Sequence, residues 1–188
     1  MGAAEHFSIL QLEGLVPAHV LAGNLSLFPE ERGIYVIAGR AAIPLLDLLG
    51  YYGTAHSCHG FIGREPIIYV GAASSGYSSI RKRAADHLFG DSRKSTFRQS
   101  IGVALASKLN LRPVAAVGRS GFHFGDGEKA LSSWICSNLA LAYTACRDPI
   151  GLERIVMKAS HPPFNIKERE WDPFARQLSA LRQAVPRG

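Results

Sequence analysis

Arg83 and His87 stand four positions apart in a stretch, Ser79 to Phe89, whose Ile80, Ala84 and Leu88 recur at helical spacing. Side chains four apart leave the same face of a helix with about 5 to 6 Å between their Cβ atoms, so a guanidinium and an imidazole here can reach one target. The guanidinium is a permanent planar cation suited to phosphate oxygens, and the imidazole exchanges protons near neutral pH. Tyr35 and Tyr69 belong to two β-like runs, Glu153 to the first turns of a helix announced by Asp148-Pro149, and Asn165 follows the pair Pro162-Pro163. Cleaving a phosphodiester in line needs an activated water, cationic stabilisation of the phosphate oxygens and help for the leaving alkoxide. These residue types can supply all three. A carboxylate such as Glu153 can hold one Mg²⁺, because that ion keeps several waters and needs few protein ligands. A phenol with a pKa near ~10 is a poor base at neutral pH without assistance, and His87 is the candidate assistant.

Each residue also has a purely structural reading. Strand tyrosines are common, Arg83 is one of three consecutive cations, Glu153 suits a helix N-terminus electrostatically, and Asn165 can close a turn. The ordered set decides between the readings. Gly33-Ile34-Tyr35, Tyr69-Val70-Gly71, Arg83, His87, Glu153 and Asn165, in that order from about Gly33 to Asn165, resemble the GIY-YIG nuclease family. The resemblance implies that Tyr35 or its partner His87 handles the proton of water, Arg83 binds phosphate, and Glu153 binds a single Mg²⁺ or Mn²⁺. It implies further that Tyr69 is the second motif tyrosine and that Asn165 steadies the site. Three departures stand out. Thirty-three residues separate Tyr35 from Tyr69, more than is usual, although some restriction-type members are similar in this. Arg81 competes with Arg83, and the four-residue interval to His87 favours Arg83. Ser95 to Gly127 has no counterpart in the smallest members.

Lys plus Arg number 21 against 15 Asp plus Glu, a formal charge of +6 that favours polyanionic partners. Arg81 and Lys82, then Arg93, Lys94 and Arg98, form basic clusters able to track a DNA backbone with a steep salt dependence; Lys167, Arg169 and Arg176 form a third. DNA is the expected partner, with RNA left open, and no oligomeric state follows. Cys58, Cys136 and Cys146 are an odd, scattered set without a CxxC pair, which points away from a disulfide framework and toward a reducing cytoplasm. His56, Cys58 and His59 are dense enough for zinc but lack an evident fourth ligand and a typical spacing, so they read as a surface loop. No leader pattern is present, and no stretch approaches the ~18 apolar residues that a membrane span needs. GxSxG, HExxH and kinase signatures are absent, and the glycine-rich Gly118 to Gly127 lacks the GxxxxGK[ST] pattern and reads as a connection.

The elements that must position these groups follow from periodicity. The 188 residues, 47% apolar and 19% charged, suffice for one domain with an ordinary core. A helix is expected over 15 to 25, strands over Gly33 to Ala38, Pro66 to Val70 and Leu139 to Ala145, and an insertion over about 39 to 64. Ser78 or Ser79 should cap a helix to Phe89, and Ser95 or Thr96 the next one, with Phe97, Ile101, Ala104, Leu105 and Leu109 on one face. Arg112 to Val117 reads as a strand, Glu128 to Asn138 as a helix, and Trp171 to Val185 as a terminal helix with Phe174, Leu178 and Leu181 inward. The expected fold is α+β: a small, mainly antiparallel sheet, three-stranded as the resemblance implies, with helices on both sides. The expected activity is metal-dependent DNA phosphodiester hydrolysis. Its rivals are a nucleic-acid-binding module without turnover and a protein-interaction domain on the same fold.

Overall fold

The computed structural model describes residues 13–39, 60–74, 78–116, 121–169 and 171–185. Its strands are β1 (Glu13–Pro17), β2 (Gly33–Gly39), β3 (Phe61–Ile62), β4 (Glu65–Ala73), β5 (Val114–Ala115), β6 (Phe122–His123) and β7 (Leu139–Ala145). Its helices are α1 (Ala18–Gly23), α2 (Ile80–Leu88), α3 (Thr96–Ala104), α4 (Ala106–Leu109), α5 (Glu128–Asn138), α6 (Pro149–Ser160) and α7 (Pro173–Gln183). The main sheet has five strands in the order β1-β7-β2-β4-β3, and all its pairings are antiparallel.

The three expected strands form the middle of this sheet, but the expectation of three in all is corrected. β1 adds to the β7 edge and the short β3 to the β4 edge. β1 occupies the first part of the segment read as a helix: the chain is extended as far as Pro17, which stands at the N-cap of the short α1. A second correction concerns the glycine-rich connection, where β6 pairs with β5 as a two-residue hairpin strand. Most of the insertion, with His56, Cys58 and His59, lies outside the described residues.

β2 is buried along its whole length. Alternation along β2, β4 and β7 sends side chains to two sides, and each side meets helices. Tyr35, Ile37, Tyr69 and Leu141 join Ile80, Ala84, Phe97, Ile101 and Leu131 in one core cluster. Ile34, Val36, Val70 and Ala142 join Val156, with Leu152 and Met157 packed alongside, in the other. α2, α3 and α5 thus cover one side and α6 the other.

Candidate active site

Register brings the tyrosines together. In the β2-β4 pair Tyr35 faces Gly71 and Ile37 faces Tyr69, so the two tyrosines are diagonal neighbours on one face, their ring centroids 6.4 Å apart. The glycine of Tyr69-Val70-Gly71 has a steric reason: a Cβ at Gly71 would collide with the Tyr35 hydroxyl oxygen and its ring. Gly33 is equally constrained, since a Cβ there would meet the backbone of Thr144 and Ala145 on β7. Both motif glycines therefore mark close approaches.

α2 supplies the polar partners. Its N-cap Ser79 accepts from the Lys82 amide, and its buried stripe, Ile80, Ala84, His87 and Leu88, lies against the sheet. His87 Nε2 is 2.8 Å from the Tyr35 hydroxyl, and His87 Nδ1 is 2.7 Å from Ser95 Oγ. Arg83, one turn earlier, donates from Nε to the Tyr35 hydroxyl at 3.4 Å. Its Nη1 lies 3.5 Å from Asp86, a loose pairing, and the Arg83 side chain is 24% exposed. Arg81 is turned elsewhere, donating to the Phe28 carbonyl at 2.7 Å and to Glu30 at 2.6 Å.

Burial sets the protonation states. It lifts the Tyr35 phenol well above its ordinary value; the Tyr69 phenol adds to the rise, Arg83 opposes it, and the Glu153 carboxylate adds to it again. Burial also holds His87 well below the usual imidazole range, with the Arg83 and Arg98 charges acting the same way. Both groups are neutral at pH 7. Burial disfavours the Arg83 charge, yet Tyr35, Tyr69 and Asp86 outweigh it and raise the guanidinium above its ordinary value.

Glu153 arrives from the other side of the sheet. α6 starts at Pro149, with Asp148 Oδ1 accepting from the Gly151 amide at 3.0 Å. Met157 of this helix accepts through its sulfur from Asn165 Nδ2 at 3.2 Å. Glu153 lies one turn before Met157 and projects from the same side of α6, close enough for its charge to act on Tyr35. Asn165 clamps β4. Its Oδ1 accepts from Val70 N at 2.9 Å and its Nδ2 donates to Val70 O at 2.8 Å, so the side-chain amide completes the strand edge beyond β3.

Tyr35, Tyr69, Arg83 and His87 thus gather from β2, β4 and α2, while Glu153 acts on Tyr35 through its charge from α6 and Asn165 holds the β4 backbone at Val70. The basic clusters are less uniform. Lys82, Arg93 and Lys94 are exposed, and Arg93 pairs with Asp91 at 2.5 Å. Arg98 corrects the expectation of a DNA contact: it is fully buried, donating to the carbonyls of His87 and Leu88, both at 3.1 Å, and to Glu128 at 2.6 Å. Ser95 is a partner that the sequence disclosed only as a helix cap. Its Oγ accepts from the Arg98 amide at 3.0 Å while contacting His87.

Among the described residues no three His, Cys, Asp or Glu side chains gather into a cation cage. A Mg²⁺ held by one carboxylate, water and substrate phosphate needs none, and Glu153, whose charge acts on Tyr35, is a carboxylate of the kind required. No described helix is long and apolar enough to cross a membrane.

The family model described as the GIY-YIG catalytic domain matches residues 53–184. The match begins after β2, so Gly33-Ile34-Tyr35 lies outside it, and the β2-β4 register joins Tyr35 to the matched part. No curated protein and no solved structure matches the chain.

Proposed function

Since the chain belongs to the GIY-YIG catalytic domain family, a family of nucleases, we propose that it is an endonuclease hydrolysing DNA phosphodiester bonds with one divalent cation, Mg²⁺ or Mn²⁺. The observation that carries this reading is the buried contact of the Tyr35 hydroxyl with His87 Nε2 at 2.8 Å and with Arg83 Nε at 3.4 Å, within electrostatic reach of Glu153.

The imidazole tautomer sets the direction of the hydrogen bonds. With the proton on Nδ1, His87 donates to Ser95 Oγ and its Nε2 accepts from the Tyr35 hydroxyl. The phenol oxygen then keeps a lone pair with which it accepts a hydrogen bond from the attacking water and aims it, while its own proton stays in the hydrogen bond to Nε2. Shared in this way, the task does not require a free phenolate, which burial of Tyr35 strongly disfavours. Arg83 neutralises charge spreading over the nonbridging phosphate oxygens. Glu153 would hold the cation, which when bound polarises the phosphate and stabilises the leaving oxygen. Tyr69 orders the water beside Tyr35, and Asn165 acts through β4 by fixing the strand that carries Tyr69 and Gly71. Lys82 and Lys94 supply exposed charge for the flanking backbone.

Purified protein incubated with supercoiled plasmid, with Mg²⁺, Mn²⁺ or chelator, tests the reading. Nicking or linearisation that needs the cation and falls at least ~100-fold in a Glu153→Ala variant is expected. Cleavage by Glu153→Ala at the wild-type rate would assign the activity to a contaminant. DNA binding without any cation-dependent cutting would favour the binding module instead.

A further inference from the structure

Among the described residues, the arginines that are not exposed pair with carboxylates, Arg182 apart. The buried Arg98 has Glu128, the buried Arg169 has Asp172, and the outer Arg81 and Arg93 have Glu30 and Asp91. Arg182 on α7 differs. It is half-buried, and its side chain donates to neutral acceptors, from Nη1 to Ser100 Oγ at 3.3 Å and from Nη2 to Gln99 Oε1 at 2.9 Å. Among the described residues no carboxylate forms an ion pair with it.

These acceptors are themselves fixed. Gln99 and Ser100 are buried in α3; Gln99 Nε2 donates to the Phe122 carbonyl at 3.2 Å, which turns Oε1 toward Arg182, and Ser100 donates to the Thr96 carbonyl at 3.0 Å. Two neutral contacts orient the guanidinium without cancelling its charge and leave some of its five N–H donors over. A partly desolvated cation without a counter-charge is costly unless an anion completes it.

Its location relative to the tyrosine pair bears on which anion that would be. Burial lowers the Arg182 pKa, and the Tyr69 phenol acts in the opposite direction, as it does on Arg83. Tyr69 therefore lies within electrostatic reach of both arginines. The Phe97 ring of α3 packs tilted against Tyr69 with ring centroids 5.1 Å apart and edge-on to His87 at 5.6 Å, which sets α3, and the α7 residue it supports, beside the second tyrosine.

We propose that Arg182, held by Gln99 and Ser100, forms a second phosphate subsite that grips a non-scissile phosphodiester of the substrate strand on the Tyr69 side of the cleavage centre. This rests on the nuclease reading given above. It gives α7 a role in substrate binding and makes the strand span the tyrosine pair, from Arg83 to Arg182.

The test measures binding of a fluorescent DNA oligonucleotide in chelator across a salt series, for wild type, Arg182→Gln and Arg182→Lys, together with plasmid cleavage and thermal melting. Arg182→Gln should bind about ten-fold more weakly at low salt, and the slope of log affinity against log salt should become shallower by about one. Arg182→Lys keeps the charge and should keep the slope. Wild-type slope and affinity in Arg182→Gln, alongside wild-type cleavage, would overturn the subsite and leave the nuclease reading intact. Lower melting temperatures in both variants with unchanged slopes would also overturn it, reducing Arg182 to a helix staple. Wild-type protein that neither binds nor cuts DNA would overturn the nuclease reading and the subsite with it.

Discussion

Ser95, His87 and Tyr35 form one hydrogen-bonded line, and its middle member has a consequence for stability that can be measured apart from catalysis. His87 is wholly buried and its folded-state pKa lies below the unfolded value of ~6.5. As pH falls below about 6.5, the unfolded chain takes up this proton and the folded chain does not, so stability is lost until the folded pKa is passed. One such site contributes a slope approaching ~1.4 kcal/mol per pH unit. His87→Gln keeps a polar group between Tyr35 and Ser95 but cannot ionise. Urea unfolding at pH 7, 6 and 5 should show wild type losing about 1 to 2 kcal/mol more than the variant between pH 7 and 5. Parallel pH profiles would mean that the imidazole titrates alike in both states. The helical interval of four made Arg83 and His87 legible as one face, but the line itself was not, because a serine at a helix start announces its backbone role and not the side chain that it will meet from another helix.

Elements carry the site as much as side chains do. The caps were readable because they are local: Ser79, Ser95 and Asp148 each accept from an amide three residues on, and the strands β2, β4 and β7 were readable from apolar runs. β1 was not, since its apolar residues continue into α1 and together imitate a single helical stripe until Pro17 divides them. Leu181, expected inward, is 43% exposed, because the buried residues of α7 end at Leu178 within the helix. Asn165 shows how an element edge can be finished by a side chain. Both Val70 backbone groups are satisfied by its amide, and removing it leaves them without that partner at a cost of about 1 to 3 kcal/mol. In Asn165→Ala the Val70 amide proton should exchange much faster with solvent while amides of β2 away from the β4 pairing keep their protection. Unchanged protection at Val70 would show that another group replaces the clamp.

At the scale of the whole molecule, the sheet supplies the tyrosines, while a buried ion pair fixes where α2, α3 and α5 stand relative to one another. Arg98 of α3 donates to His87 O and Leu88 O, carbonyls of the last turn of α2, and to the Glu128 carboxylate at the start of α5. Glu128 also accepts from Ser92 N and Oγ, both at 3.1 Å, and from Phe124 N at 3.0 Å. Burial alone would raise its pKa, but the Arg98, Phe124 and Ser92 hydrogen bonds prevail and hold it below the usual range. In the sequence Arg98 is one more cation in a basic cluster; its burial depends on Glu128, thirty residues away, and no local pattern announces that. The same dependence on distant partners hid Arg182, whose acceptors lie on α3. Arg98→Met should cost about 3 to 5 kcal/mol in urea unfolding, because it strands a carboxylate in a half-buried site and uncaps α2 beside His87. Adding Glu128→Gln should recover at least ~1 kcal/mol of that loss by removing the stranded charge while keeping an amide for Ser92. A double variant as unstable as the single one would mean that the lost helix-end contacts, not the uncompensated carboxylate, account for the damage.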